Sequence, residues 1–411
     1  MRGQLNEAQA ERKPLTPARL ILSLVAGVIS FGLFLPTLTS FITGLTDADG
    51  SRMFQSHRLP ASYQDLGQKD LPANQDAGRL VSEMISIDAK SRSGSPAPAG
   101  SLEALAQRGA KMPNADLLGV IARHEKEPLT LGAVSMALSG LSRSVRYDKN
   151  LPESARVESL KAVRVWMTRL AQTGHPEATD AYCRALEWIA GDVAYLSSAA
   201  NPSLPVRREA QALVEACRTP LAWQQAIRAV PFAILRGMSS RGSSFSSSYV
   251  RQFVQVPAKI DRAFSRVNQD VPNLALWVDE QVRTVPPAGS VEINPVTWDH
   301  RFAVVLDNEM ARRILLAQIE AAQPVFAEFV RTGRFPTRLP EETLPADPYQ
   351  PGSRMQFRGT ENQFILWSRG PDLYDDGGSQ QSTRPFSPNR RMWLIGGDIR
   401  LEFVLPAPRE R

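Results

Sequence analysis

The chain has 411 residues, 43% of them hydrophobic, and a formal net charge of +6 at pH 7. A chain of this length can hold two or three domains, and most of it should fold in water. Its lysines and arginines are dispersed, without a long basic run or a basic stripe interleaved with aromatic residues, so the sequence argues against nucleic-acid binding. The positive excess fits either a basic face near anionic lipid headgroups or an ordinary soluble surface rich in arginine.

An uncharged apolar segment near the N-terminus predicts a membrane anchor. The 27 residues from 20 to 46 contain no charged side chain. As a helix they extend about 40 Å, whereas a hydrocarbon core about 30 Å thick needs roughly 20 residues. A cleaved signal peptide has a shorter apolar region, about 7–15 residues. We therefore expect an uncleaved transmembrane helix at residues 20–46, preceded by a short tail at residues 1–19.

The charges on either side of this segment predict its orientation. Basic residues precede it and acidic residues follow it, namely Arg2, Arg12, Lys13 and Arg19 before it and Asp47 and Asp49 after it. Positive residues stay in the cytoplasm. The tail should therefore be cytoplasmic and the bulk of the chain periplasmic. We expect a single-pass protein of a bacterial inner membrane, in contact with the lipid bilayer through residues 20–46.

Two linkers are predicted after the anchor. Residues 47–75 are polar and lack a sustained period, which predicts a stalk. The segment 91–100, rich in Ser, Pro and Gly, predicts a second linker. Residues 76–90 between them fit one amphipathic helix.

Helical periodicity dominates the next two hundred residues. Apolar residues recur at helical spacing in segment 152–173 and again in the segment that follows, and a third helix is predicted at about 206–217. Short turns between such helices favour an antiparallel bundle or helical array over residues 76–290. A loop rich in Ser and Gly, residues 236–250, interrupts it.

The two cysteines, Cys183 and Cys217, fall on predicted neighbouring helices. In an oxidising periplasm, a disulfide between them would stabilise the fold by roughly 3–4 kcal/mol. Two unpaired buried thiols are the alternative, and both interpretations stay open. The lack of a CxxC pair argues against a zinc ribbon or a thioredoxin-type redox site.

The pattern changes near residue 299. Residues 299–331 predict one long helix with apolar side chains along its length. Three β-like segments follow, at 354–359, 363–368 and 398–405, and a hairpin turn joins the first two. A long helix packed on a short antiparallel sheet is an α+β module, here predicted over residues 299–411. The predicted fold is therefore mainly α, ending in a small α+β module.

Short motifs occur in a fixed order around these elements. They are GRFPT at 333–337, LPADPY at 344–349, the hairpin, and WSRGPDLYDDGG at 367–378. In this order they resemble the C-terminal globular module of type II secretion major pseudopilins and of similar bacterial membrane-anchored proteins. The resemblance covers residues 305–405, about a quarter of the chain. It implies the small head fold and a calcium site in the loop after the second strand.

The resemblance does not extend to polymer formation. In pseudopilins the hydrophobic helix directly precedes the head, whereas here more than 250 residues separate the two. The prepilin cleavage pattern also needs a glycine followed by a hydrophobic run with glutamate at its fifth position. Gly32 is followed by LFLPT instead.

The resemblance points to Asp372, Asp375 and Asp376 as calcium ligands, with Asp398 later in the chain. Calcium takes six to eight oxygen ligands, and clustered carboxylates on a tight glycine loop supply several of them. The spacing is not that of an EF-hand. One alternative is an Asp/Gly turn whose side chains bond to their own backbone, and another is acid–base catalysis.

No catalytic motif identifies an enzyme. The four histidines lack a metal-ligand spacing, and the sequence has no GxSxG elbow, Walker loop or GxGxxG after a strand. The adjacent acids Glu341-Glu342 and Asp375-Asp376 leave open a periplasmic carboxylate-dependent hydrolase that acts on envelope polymer. The sequence favours instead a non-enzymatic scaffold and head that engage other envelope proteins, as a component of the cell envelope or of a secretion-type system.

Overall fold

The computed structural model describes residues 53–72, 74–94, 98–124, 131–239, 247–283, 300–350, 352–370, 375–379 and 398–405. Residues Phe54–Arg411 form one compact unit. The predicted tail and anchor, residues 1–46, lie outside the described residues. Among the residues that are described, no helix is both long and apolar enough to cross a membrane.

Most of the described chain is helical, as the sequence predicts. Its helices are α1 (Gly78–Arg92), α2 (Ser101–Ala110), α3 (Leu117–Arg123), α4 (Gly132–Tyr147), α5 (Glu153–Gln172), α6 (Pro176–Ser197), α7 (Leu204–Cys217), α8 (Trp223–Ser239), α9 (Ser247–Arg266), α10 (Val271–Arg283) and α11 (His300–Thr332). A 3₁₀ turn at Glu341–Thr343 precedes the strands β1 (Gln356–Gly359), β2 (Gln363–Ser368) and β3 (Ile399–Val404). The fold is mainly α with a small antiparallel sheet near the C-terminus.

The predicted helices at 152–173, 206–217 and 299–331 are confirmed as α5, α7 and α11. The start of the neighbouring helix α6 is also marked in the sequence. Helix α6 starts with Pro176 at its first position, and the Nδ1 atom of His175 accepts a hydrogen bond from the amide of Glu177 at 3.3 Å. The interruption predicted at 236–250 is wrong at both ends, because residues 236–239 end α8 and residues 247–250 begin α9; residues 240–246 lie outside the described chain.

Helix α6 lies in the middle of the unit. It packs against α4, α5, α7 and α11. Many of its buried positions are alanines, including Ala181, Ala185 and Ala190. Small side chains let neighbouring helices approach closely, so one helix can have packed partners on several sides.

Part of the predicted stalk belongs to this packed unit. Phe54, Leu59 and Tyr63 are buried. The ring of Tyr63 lies edge-on to that of Phe232, with 4.9 Å between the ring centres. The packed chain therefore begins at Phe54 and not at residue 76, because these three side chains supply apolar surface that a polar stalk would lack.

The C-terminal sheet has the strand order β1-β2-β3, with both pairs antiparallel. The sheet packs on α11, as the α+β prediction requires. The ring of Phe326 on the helix lies 5.4 Å from that of Phe364 and 4.8 Å from that of Phe403, in edge-to-face geometry. Such pairs favour a fixed position of the helix over the sheet.

The C-terminal sheet and the helical region share a core. Helix α11 packs on α6 as well as on the sheet, so its apolar side chains serve both regions. The predicted boundary between residues 290 and 299 lies outside the described residues.

Candidate functional site

The segment 367–379, here called the closing loop, begins with the last two residues of β2 and carries the predicted calcium ligands. Asp347, from the LPADPY motif, holds its first part. One carboxylate oxygen, Oδ1, accepts hydrogen bonds from the Ser368 hydroxyl at 2.7 Å and from the Tyr349 amide at 3.0 Å. The other, Oδ2, accepts from the Arg369 amide at 3.0 Å. Two of the motifs therefore meet in one hydrogen-bonded turn.

The second part of the closing loop is held by Asp375 and Asp398. The Oδ1 atom of Asp375 accepts from the indole Nε1 of Trp367 and from the Gly377 amide, both at 3.0 Å. Asp398 accepts from the Gly378 amide at 2.6 Å. Gly377 and Gly378 have φ angles of 69° and 84°, which glycine adopts without steric cost. The aspartates thus stabilise a tight turn.

Asp398 is a buried carboxylate with no cation directly bonded to it among the described residues. Its pKa is raised to about 6, mainly by burial and also by the nearby carboxylates of Asp375 and Asp376, while the amides of Gly378 and Asp376 oppose the shift. A carboxyl group in this state takes up a proton within the range of mildly acidic solutions.

The structure places two of the three predicted calcium ligands in the closing loop, and Asp372 lies outside the described residues. Within the described part of the chain, no group of three His, Cys, Asp or Glu side chains is arranged to hold a metal ion. The Oδ1 atom of Asp375 already accepts two hydrogen bonds. The described geometry matches the Asp/Gly turn, which we therefore favour over the predicted calcium site; calcium binding itself is untested.

A second cluster of charge lies inside α11. Glu309 is fully buried and accepts from Arg312 at 2.6 and 2.8 Å, from Arg313 at 2.9 Å and from the Leu221 amide at 3.1 Å. The guanidinium group of Arg312 also donates to the carbonyls of Cys217 and Arg218. The cluster therefore joins α11 to the turn between α7 and α8.

The two cysteines lie beside this cluster as separate buried thiols. The Cys183 thiol donates to the carbonyl of Asn308 at 2.9 Å. Burial raises the pKa of both thiols, that of Cys217 to about 11. Thiols with raised pKa values are poor nucleophiles at neutral pH, so neither is a candidate catalytic group.

Arg146 joins the helical region to the last strand. Its guanidinium group pairs with Asp192 on α6 at 2.6 Å, and both side chains are less than a tenth exposed. It also donates to the carbonyl of Val404 at 2.6 Å and stacks over the ring of Phe403 at 4.1 Å. At Gly191, an added Cβ would lie 2.5 Å from the carbonyl oxygen of Glu402, so only glycine allows this close approach.

Large apolar side chains are exposed around this contact. We call Tyr147, Trp188 and Val404 the junction patch; they are 49%, 41% and 44% exposed. The guanidinium carbon of Arg146 lies 4.5 Å from the centre of the Tyr147 ring. Trp188 precedes Asp192 by one helical turn and therefore shares its face of α6.

A groove of about 560 Å³ lies between α1 and α2. Basic residues outnumber acidic ones along it, and its lining comprises Asn74, Asp76, Arg79, Leu80, Glu83, Arg108, Lys111 and Met112. The acids do not converge in the way that paired-carboxylate catalysis requires, since Asp76 is buried and Glu83 is exposed.

His175 is the most deeply placed of the histidines that the structure describes. It is 3% exposed, and burial lowers its pKa to about 4. Its Nδ1 atom caps α6, and its Nε2 atom has no hydrogen-bond partner among the described residues. The residue is a neutral part of the core at physiological pH.

Comparison with protein families, with curated proteins and with solved structures finds no match to this chain.

Several of these features were not predicted from the sequence. The polar triplet Asp307-Asn308-Glu309 interrupts an otherwise apolar helix and could have indicated a buried polar cluster. Asp347 lies in the LPADPY motif, but the motif alone does not predict its hydrogen bonds to the closing loop. The partners of Arg146 and the basic groove carry no sequence signal, because they depend on residues far apart in the chain.

Proposed function

We propose that the protein is a single-pass inner-membrane component whose periplasmic helical scaffold and pseudopilin-like head bind other proteins of the cell envelope. The observation that carries this proposal is the junction patch. Exposed aromatic and aliphatic side chains lie there beside the contacts that Arg146 makes with Asp192 and Val404. Aromatic side chains on a well-ordered surface are typical anchors of protein interfaces.

The contacts of four acidic residues also support a binding function over hydrolysis. Asp347 and Asp375 accept hydrogen bonds from the backbone or from Trp367, and Glu309 and Asp192 pair with arginines. A general acid or base must reach a substrate from a cleft. Carboxylates that already hold the fold are poor candidates for this role.

The membrane anchor and the head assignment come from the sequence. The anchor is predicted from the uncharged segment 20–46, and the head from the ordered motifs of residues 305–405. Partner identity and the process served are open to experiment.

Site-specific photo-crosslinking in intact membranes tests the proposal. A photoreactive amino acid replaces Trp188 in the full chain, and in a matched control it replaces Leu204, which is 49% exposed on a different helix. We expect a defined crosslinked species from position 188 and none from position 204. Identical products from both positions, or none from position 188, would contradict the proposal.

A further inference from the structure

The groove between α1 and α2 is lined by three exposed cations. Arg79, Arg108 and Lys111 form no ion pair within 4 Å with another described residue, although the charge of Lys111 helps to lower the pKa of Glu158. Many other arginines of this fold form ion pairs, such as Arg164 with Glu209 at 2.7 Å. Three cations on two packed helices create a positive potential in the groove.

Two acidic residues, Asp76 and Glu83, also line the groove. Asp76 is 7% exposed, and its Oδ1 atom accepts from the amides of Gly78 and Asp116, both at 2.8 Å. Its carboxylate is therefore used at the start of α1. Asp76 keeps its negative charge, so the three basic side chains exceed the two acidic ones by one positive charge.

Two carbonyl oxygens, one in the last turn of α2 and one just after it, accept hydrogen bonds from an arginine. The guanidinium group of Arg169 donates to the carbonyls of Gly109 at 3.0 Å and of Met112 at 2.5 Å. Free carbonyls at a helix C-terminus repel anions. Because Arg169 donates to these two carbonyls, they repel a negative ligand less strongly.

We infer that this groove binds the phosphate group of an anionic phospholipid headgroup. Guanidinium groups present paired donors that match phosphate oxygens, and Leu80 and Met112 supply apolar surface for the glycerol and the upper acyl chain. The choice of a lipid rests on the proposed function. In the sequence, only residues 47–53 separate the predicted anchor from Phe54.

Calorimetric titration of the full chain, solubilised in an uncharged maltoside detergent, tests this inference. Dihexanoylphosphatidylglycerol is one ligand, and inorganic phosphate and zwitterionic dihexanoylphosphatidylcholine are the others. The groove variant combines Arg79→Gln, Arg108→Gln and Lys111→Gln. A matched control removes the same charge from other exposed positions by Lys149→Gln, Arg208→Gln and Arg338→Gln. Circular dichroism and melting temperatures establish that both variants are folded.

We expect the groove variant to bind phosphatidylglycerol at least about 10-fold more weakly than the unaltered chain, since several charge-assisted hydrogen bonds are lost. The control should stay within about 2-fold, because none of its three positions lines the groove. Equal binding by the groove variant would overturn the inference. Equal affinity for inorganic phosphate, or for the zwitterionic lipid, would overturn the assignment to an anionic lipid.

The result is separable from the proposed function. Loss of crosslinks at position 188 with intact lipid binding contradicts only the interaction proposal. Lipid binding that does not depend on the groove contradicts only the present inference.

Discussion

Two of the carboxylates buried in this fold are Glu309 in α11 and Asp398 before β3, and different partners stabilise their negative charges. Glu309 faces the guanidinium groups of Arg312 and Arg313. Asp398 is met by the amides of Gly378 and Asp376, and by the negative charge of neighbouring aspartates. The helical core therefore neutralises its buried acid with cations, whereas the closing loop uses backbone dipoles. The two regions should respond differently to mutation and to pH.

The largest expected effect is at Glu309. Glu309→Gln leaves Arg312, which is 4% exposed, without its buried counter-charge, and breaking one partner of such a pair costs about 3–5 kcal/mol. Urea unfolding measures this loss. The matched control is Glu320→Gln on the same helix, whose pair with Arg218 is more than half exposed and should change stability by less than about 1 kcal/mol. Similar losses of stability in both variants would show that the buried pair of Glu309 contributes no more than an exposed pair.

The next effect concerns the neutral histidine of the helical core. The pKa of His175 is lowered from 6.5 to about 4, so the unfolded chain takes up this proton first as the pH falls. Stability should therefore decrease between pH 6.5 and pH 4, by about 3 kcal/mol at roughly 1.36 kcal/mol per unit. His175→Asn keeps a side-chain cap on α6 and should remove this decrease in urea unfolding series. An unchanged pH dependence would refute the assignment.

A third prediction concerns the contact between the two regions. Gly191→Ala places a Cβ atom 2.5 Å from the Glu402 carbonyl, and such overpacking against backbone should cost about 1–3 kcal/mol. Gly140→Ala is the matched helical control, because its Cβ would meet only the end of the flexible Glu103 side chain. Alanine favours a helix over glycine by up to about 1 kcal/mol, so the control should be neutral or stabilised. Thermal unfolding measures the stability of both variants, and equal melting temperatures would contradict the prediction.

A smaller effect of opposite sign is expected at Asp398. Its folded pKa of about 6 lies above the ordinary 3.8, so the folded chain binds a proton that the unfolded chain releases. This group therefore favours folding more as the pH falls from 6 towards 4, against the trend of His175. In Asp398→Asn this gain should vanish, so the variant should compare less favourably with the unaltered chain at pH 5 than at pH 7.5. The same difference at both pH values would refute a raised pKa.

The smallest expected effect is that of calcium on the closing loop. Because Asp375 already binds Trp367 and Gly377, we expect calcium to change the melting temperature of the full chain by less than about 1 °C, unlike a tightly bound ligand. Chelator-treated protein is the reference. A reversible rise of several degrees that is lost in Asp372→Asn would show instead that Asp372 completes a calcium site.

The parts of the fold that the sequence predicted are those with local signals. Helical periodicity and stop signals located α5 and α7 within two residues, and alternating β-like segments located the strands. The long helix and its sheet were also predicted, because both elements carry strong apolar patterns. The early start of the packed unit was missed, since Phe54, Leu59 and Tyr63 are isolated apolar residues in a polar segment.

The candidate sites were less predictable for a physical reason. The Asp/Gly content of the closing loop indicated a turn, but its link to Asp347 depends on a contact across 21 positions. The pair of Arg146 with Asp192 spans 46 positions, and the basic groove needs two helices to be docked. Neither pairing nor docking leaves a periodic pattern in the chain.

The contact between Arg146 and Val404 has a further consequence for how this head can associate. An edge strand with free carbonyl and amide groups can recruit a strand from another molecule. On β3, the Val404 carbonyl is bonded to Arg146 and the Glu402 carbonyl lies against Gly191. Intermolecular pairing along this edge is therefore obstructed, and a partner of this surface must be recognised through side chains and not by adding a strand to the sheet.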